Sequence, residues 1–360
     1  MDSFTFVMAG GGTGGHVIPL LAVARELRDR GHSVRFIGTR RGMEAKLVPP
    51  ENFPIEWIEI GGLKRVGLRQ TLTTLVELPS STWQAARLLK IARPVAVFSM
   101  GGYVAGPVLL AALWNSVPVV VMEPNAVPGF THRHLARFVA RALVSFPETA
   151  RAFPEGRAEV TGLPVRAEFF SIAPKPREKT LTVLIMGGSQ GSRTLNRAVE
   201  ESWFLWPKEP GAQSIRLLHQ TGAAAYEDIA PRFRSSGANG EISPFLTDVP
   251  RALAEADLVV CRAGMSTVSE LAAAGKPSIL VPLPTASDQH QLRNAEAFEK
   301  AGAAKLMLDT EMTGARLVEE VTRLSSEPGL LEKMGTAARA FSRPGAARRV
   351  AEILESFEDH

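Results

Sequence analysis

The 360-residue chain holds a single cysteine, Cys261. One thiol excludes an internal disulfide and fits a reducing compartment. The first residues show no basic stretch followed by an apolar core, so they do not read as a secretory signal. An uninterrupted apolar run is missing too. Residues 95–122 carry no charge, but Gly101-Gly102, Pro107, Asn115-Ser116 and Pro118 punctuate them. That pattern reads as strand, glycine turn, helix, turn and strand rather than a bilayer span. Basic residues are not interleaved with aromatics, which excludes nucleic acid from the expected partners. Asp-x-Asp pairs and Cys/His clusters are lacking, and His132 and His134, two apart on a predicted helix, diverge, so no metal is expected.

What is present is a globular composition, 45% apolar and 22% charged, on a chain long enough for two domains. Residues 1–165 hold 18 basic side chains against 12 acidic, the remainder 23 against 25. The basic first half suits an anionic ligand or surface. Short β-rich runs at 4–9, 33–37, 55–60, 95–99, 117–122 and 142–144 alternate with helix-like segments such as 17–30 and 82–93. The runs 181–186, 215–219, 258–261, 278–281 and 304–307 repeat the plan. This alternation predicts an α/β chain with two doubly wound parallel sheets, each Rossmann-like, facing a cleft. The joint falls at Gly162-Leu163-Pro164 or within 173–179, and the last segment, 344–357, reads as a helix able to pack on either domain.

Glycine turns follow the strands. Five of the six residues 10–15 are glycine, and Gly10, Gly12 and Gly15 satisfy G-x-G-x-x-G between a strand and a helix. The second strand, however, ends Ile37-Gly38-Thr39-Arg40-Arg41 without the acid that holds an NAD ribose. The arginines suit a 2′-phosphate, so an NADP oxidoreductase stays open on the residues alone. No Gly-Lys-Ser/Thr closes the loop, which excludes a Walker site. Gly187-Gly188-Ser189-Gln190-Gly191 contains the G-x-S-x-G of a nucleophile elbow, with Asp288 and His290 downstream. A hydrolase has no use for a second glycine loop; Ser189 is better read as donating, with helix N-terminal amides, to a phosphate. A third turn is Ser99–Tyr103. A fourth segment, 261–271, places Glu270 in a helix where a carboxylate can accept from both hydroxyls of a ribose. Four such turns point to a nucleotide diphosphate and a second substrate, met by an enzyme or by a non-catalytic binder.

Taken in order, GGGTGGH at 10–16, GGYVAGP at 101–107, EPN at 123–125, GGSQGS at 187–192, RAGMSTVSELAAAGKPSILVPLP at 262–284 and DQHQLRNA at 288–295 resemble the MurG family. These GT-B glycosyltransferases add N-acetylglucosamine (GlcNAc) to the lipid-linked precursor of bacterial peptidoglycan. The resemblance runs nearly end to end. It implies inverting transfer from UDP-GlcNAc to the C4 hydroxyl of MurNAc-pentapeptide-diphosphoryl-undecaprenol (lipid I), giving lipid II, with no metal or other cofactor. An acceptor domain is then expected at 1–163 plus 341–360 and a UDP-GlcNAc domain at 164–340.

Position by position, the resemblance implies that Glu270 holds the ribose and that Leu246 offers backbone groups to uracil. Ser189, Gln190 and Arg166 would meet the diphosphate, with Met265 and Ser266 beside them. His290, Gln291 and Asn294, with Asn196 near, would reach the sugar. Thr13, Gly14, Gly15 and Asn125 would line the cleft against both substrates, and Gly12, His16 and Tyr103 would line the acceptor side. Two candidates remain for the catalytic base: His16, whose reference pKa lies near working pH, and Glu123. Many relatives read His-Glu-Gln-Asn where this chain has Met122-Glu123-Pro124-Asn125, and Pro124 has no N–H to give. His290 stands where some relatives have glutamine.

The implied acceptor is a membrane lipid, so the chain is expected to dock peripherally on the cytoplasmic face, with cell-wall synthesis proteins as candidate partners. Leu72, Leu75, Val76, Leu78 and Trp83 near Arg69, Arg87 and Lys90 read either as an apolar patch rimmed by cations or as an ordinary core helix with a charged outer face, with Trp114 either joining the patch or buried.

Overall fold

Strands with no polar face, such as Val119-Val120-Val121-Met122, must be buried on both sides, and they are. The computed structural model describes residues 3–60, 68–176, 178–188, 190–206, 213–286 and 289–358, and the side chains of 68–76 lie outside this description. Two compact units result: Met1–Val165 with Gly345–His360, and Arg166–Pro344.

Unit 1 is a seven-stranded parallel sheet built from β1 (Thr5–Gly10), β2 (Ser33–Gly38), β3 (Ile55–Trp57), β4 (Ala96–Gly101), β5 (Val119–Glu123), β6 (Arg141–Val144) and β7 (Ala158–Val160), in the order β3-β2-β1-β4-β5-β6-β7. Unit 2 repeats the winding with β8 (Thr180–Met186), β9 (Ser214–Gln220), β10 (Gly240–Ser243), β11 (Leu258–Cys261), β12 (Ser278–Leu280) and β13 (Ala304–Leu306), in the order β10-β9-β8-β11-β12-β13. The short edge strands β7 and β10 are additions to the sequence reading.

The helix expected at 82–93 spans Leu68–Ala92. Pro79 lies inside it, and the hydroxyls of Ser80, Ser81 and Thr82 bond back to carbonyls one turn earlier. The final helix, Ala346–Glu355, belongs to unit 1 and packs on helix Gly14–Asp29. Glu355 takes Arg30 at 2.8 Å and His32 at 3.0 Å, and Arg349 reaches Glu159 at 2.7 Å. Among the described residues no helix is long and apolar enough to cross a membrane.

Candidate active site

Each sheet reverses its winding once, between β1 and β4 in unit 1 and between β8 and β11 in unit 2. Loops beyond the carboxyl ends of the strands meet at such points, and ligands bind there in open α/β sheets.

In unit 1 the turns after β1 and β4 touch, with Gly10 paired to Gly101. A Cβ on Gly11 would collide with the Glu44 carboxylate, and one on Gly102 (φ +83°) would sit 2.7 Å from the Gly11 carbonyl oxygen. Close approach therefore demands the glycines. Glu44 opens the short helix Glu44–Leu47 and is buried. Its Oε2 accepts the Gly12 N–H at 2.8 Å, and its Oε1 accepts the Thr39 N–H at 3.0 Å and hydroxyl at 2.8 Å. With that hydroxyl proton spent, Tyr103 donates to Thr39 Oγ1 at 3.0 Å. Burial, with a smaller push from Glu44, raises the Tyr103 phenol above its ordinary value and keeps it a donor. Sequence reasoning missed Glu44.

His16 lies half-buried in the first turn of helix Gly14–Asp29, with Gly14 and Gly15 ahead of it and Thr13 exposed at the cap. Its Nδ1 is 3.0 Å from the Gly11 carbonyl and 3.4 Å from Thr13 Oγ1. A carbonyl only accepts, so Nδ1 carries the proton and Nε2 the lone pair.

Glu123, at the end of β5, is 2% exposed. Its Oε1 accepts the backbone and side-chain N–H of Asn125, both at 3.0 Å, and its Oε2 accepts Gly129 N–H at 2.8 Å and His132 Nδ1 at 3.0 Å. Burial alone would raise this carboxyl, but His132 and the amides of Gly129 and Asn125 outweigh it and hold it below the usual range. Pro124 is buried between these contacts, and Asn125 keeps its own amide on Glu123. The His132 ring faces Gly101 of the β4 turn.

In unit 2 the loop after β8 packs on the loop after β9, backbone on backbone. A Cβ on Gly191 (φ +75°) would overlap the Thr221 carbonyl. Ser189 lies outside the described residues, as does Asp288. Gln190 is exposed, and Gly187 N–H reaches Gln220 Oε1 at 3.2 Å. Ser192 caps helix Arg193–Ser202 and receives Arg262 Nη2 at 2.6 Å, across the reversal point. Arg262 also pairs with Asp309 at 2.5 Å, which accepts Thr194 Oγ1 at 3.1 Å. Two loops are thereby tied to the helix N-terminus expected to face the diphosphate.

Asn196 and Asn294 are buried and spend their amides inside the protein, Asn196 on Thr221 and Asn294 on Ala263. Asn196 Oδ1 accepts His219 Nε2 at 3.0 Å, and burial pushes His219 down to about 3, so it stays neutral. Gln291 accepts the Leu283 N–H, and half-buried His290 opens helix His290–Lys300. Leu246 is half-buried between β10 and helix Val249–Glu255. Met265 and Ser266 open helix Met265–Ala274, two turns of which carry half-buried Glu270. Burial pushes Glu270 up to about 7; Arg166, paired with Glu168 at 2.8 Å, opposes this and Glu168 adds to it. Among the described residues no hydrogen-bond donor reaches Glu270.

In unit 1, Trp83 is 59% and Trp114 71% exposed, with Arg87, Lys90 and Ile91 also exposed; Leu78 packs on the core. The side chains of Arg69, Leu72, Leu75 and Val76 lie outside the described residues.

Residues 6–144 match the glycosyltransferase family 28 N-terminal domain and residues 182–350 its C-terminal domain. The chain is 60% identical over 351 residues to a protein of Solibacter usitatus (strain Ellin6076) named UDP-N-acetylglucosamine--N-acetylmuramyl-(pentapeptide) pyrophosphoryl-undecaprenol N-acetylglucosamine transferase, covering 98% of this chain and 95% of that one. The protein of the same name from Azotobacter vinelandii (strain DJ / ATCC BAA-1303) is 43% identical, with 98% of each covered. The crystal structure of Acinetobacter baumannii MurG aligns with a TM-score of 0.80 at 35% identity, over 98% of this chain and 99% of that one. The two doubly wound sheets are those of the GT-B fold, and the chain belongs to glycosyltransferase family 28.

Proposed function

We propose that the protein transfers GlcNAc from UDP-GlcNAc to the C4 hydroxyl of lipid I, forming lipid II for peptidoglycan. The end-to-end likeness to proteins named for this transfer carries the reading. Unit 2 binds the donor: Glu270 accepts from the ribose hydroxyls, Leu246 lies at uracil, and the N-terminus of helix Arg193–Ser202, with Ser189, Gln190 and Arg166, takes the diphosphate. Met265 and Ser266 border the same pocket. His290 and Gln291 reach the sugar, while Asn196 and Asn294 act through the loops they brace.

Unit 1 binds the acceptor along Gly12 to Gly15, Tyr103 and Asn125 and supplies the base. His16 suits that task, since its Nδ1–H donates to Gly11 and leaves the lone pair on Nε2. Glu123 suits it poorly: four donors occupy its oxygens and lower its basicity, so its task is to shape the 123–132 loop. As the acceptor O4 attacks C1, its proton passes to His16 Nε2. The C1–O bond to the β-phosphate breaks, UDP leaves with the electron pair, and the configuration inverts. Helix dipoles and amides aimed at the departing diphosphate stabilise its growing charge.

Lipid I resides in a bilayer, and Trp83, Ile91 and Trp114 with Arg87 and Lys90 supply the surface for peripheral docking on its cytoplasmic side. Incubation with UDP-GlcNAc and an undecaprenyl lipid I analogue tests the reading. UDP should appear in step with a disaccharide product; UDP release without an acceptor product would refute it.

A further inference from the structure

Gly11 C=O and Gly12 N–H belong to one peptide unit, and they point in opposite directions because the peptide is planar and trans. The N–H donates to Glu44 Oε2 at 2.8 Å, and the C=O accepts His16 Nδ1–H at 3.0 Å. A buried carboxylate and an imidazole thus sit at the two ends of a single amide.

We infer that Glu44 is a positioning residue for His16, acting through the Gly11–Gly12 peptide as a carboxylate–peptide–imidazole relay. A chain of hydrogen bonds polarises along its length, so a negative charge on the N–H side strengthens the carbonyl as an acceptor. The stronger acceptor holds the Nδ1–H tautomer and raises the basicity of Nε2, as a carboxylate bonded directly to a histidine does in hydrolase triads. When the imidazolium forms, Glu44 faces its charge across one peptide. The glycines follow from this arrangement: Gly11 must be bare for the Glu44 carboxylate to approach, and Gly102 must be bare to lie over the same amide beside His16 Nδ1, which its Cβ would approach to 3.2 Å. Among the described residues, the ionisable groups linked to the far end of the relay include Tyr103, which donates to Thr39, and Arg41, whose charge reaches Tyr103. Thr39 tunes the far end, because its hydroxyl and N–H draw on the Glu44 oxygen that does not hold Gly12.

The inference rests on His16 as the base, and its test is separable from that reading. Histidine NMR titration of the full-length protein, with the His16 signal assigned by its loss in His16→Asn, needs no turnover. Glu44→Gln removes the charge while leaving an oxygen for Gly12. The His16 midpoint should fall by about half a unit or more, and kcat by about tenfold, with KM for UDP-GlcNAc within about twofold. Thr39→Val removes one competing donor and concentrates charge on the carboxylate, so the midpoint should rise. Opposite shifts support the relay, since general loosening of the loop would move both variants alike. A His16 midpoint unchanged in Glu44→Gln, or moved in the same direction by both variants, overturns it. Should Glu44→Gln not fold, Thr39→Val alone decides: a rise supports the relay, and no change or a fall overturns it. Near-normal turnover in His16→Ala would instead refute the base assignment, whatever the titration shows.

Discussion

The two sheets share one winding, yet their reversal points are furnished differently. In unit 1 the loops are held by carboxylates saturated with donors: Glu44 accepts three hydrogen bonds and Glu123 four. In unit 2 the loops lie backbone against backbone at Gly191 and Thr221 and are tied by Arg262 to Ser192 and Asp309, while Glu270 is left without a donor among the described residues and is pushed up to about 7. A carboxylate saturated with donors is fixed in place, whereas burial without donors makes one costly to ionise. The proposed roles follow this difference: a fixed set of hydrogen bonds around His16 in unit 1, and in unit 2 a carboxylate proposed to accept from a ribose.

The largest expected effect tests unit 1. Glu123→Ala leaves His132 and two loop amides unpaired in the interior and should cost about 3–5 kcal/mol, read by urea denaturation. A well-folded but inactive variant would return Glu123 to the role of base. Glu270→Gln should behave in the opposite way. UDP affinity should drop about tenfold or more as charge-assisted bonds to the ribose are lost, read by calorimetry. Its melting temperature at pH 8 should nevertheless rise. The sign follows from the shift: a carboxyl raised above its unfolded value opposes folding when ionised, so its cost is absent below the unfolded pKa and complete above about 7.

A smaller effect comes from pH alone. In the proposed role ribose hydroxyls donate to the ionised form, so UDP binding should take a proton off Glu270 when the solution is below about 7. Affinity should be full near pH 8 and up to about tenfold weaker at pH 6, with proton release on binding in the acidic range. Glu270→Gln should abolish this dependence. The smallest effect lies on the surface: Trp83→Ser with Trp114→Ser should weaken binding to anionic vesicles several-fold while leaving UDP affinity intact.

The parallel winding, the central strands and the order of the glycine turns were legible in the sequence because fully buried strands read as continuous apolar runs. The edge strands Ala158–Val160 and Gly240–Ser243 were not, being short and partly polar. The start of helix Leu68–Ala92 was hidden behind Pro79 and the Ser80-Ser81-Thr82 run, which imitates a turn and cap. Glu44 belongs to no motif, and a lone glutamate 32 residues beyond Gly12 looks like surface until the fold brings it beneath the glycines. The one signal available was that Gly38 and Gly42 flank it; both, like Gly11, would meet its side chain with any Cβ. The partners of Glu123, Gly129 and His132, were not legible, since a buried hydrogen-bonded pair leaves no spacing rule in the chain.

The division of labour between the reversal points is tested most directly by measuring UDP affinity and single-turnover transfer rate together in His16→Ala. The account predicts UDP affinity within about twofold of the parent and a rate lowered by about 10²-fold or more. A rate close to the parent's, or a loss of UDP affinity that matches the loss of rate, would contradict it.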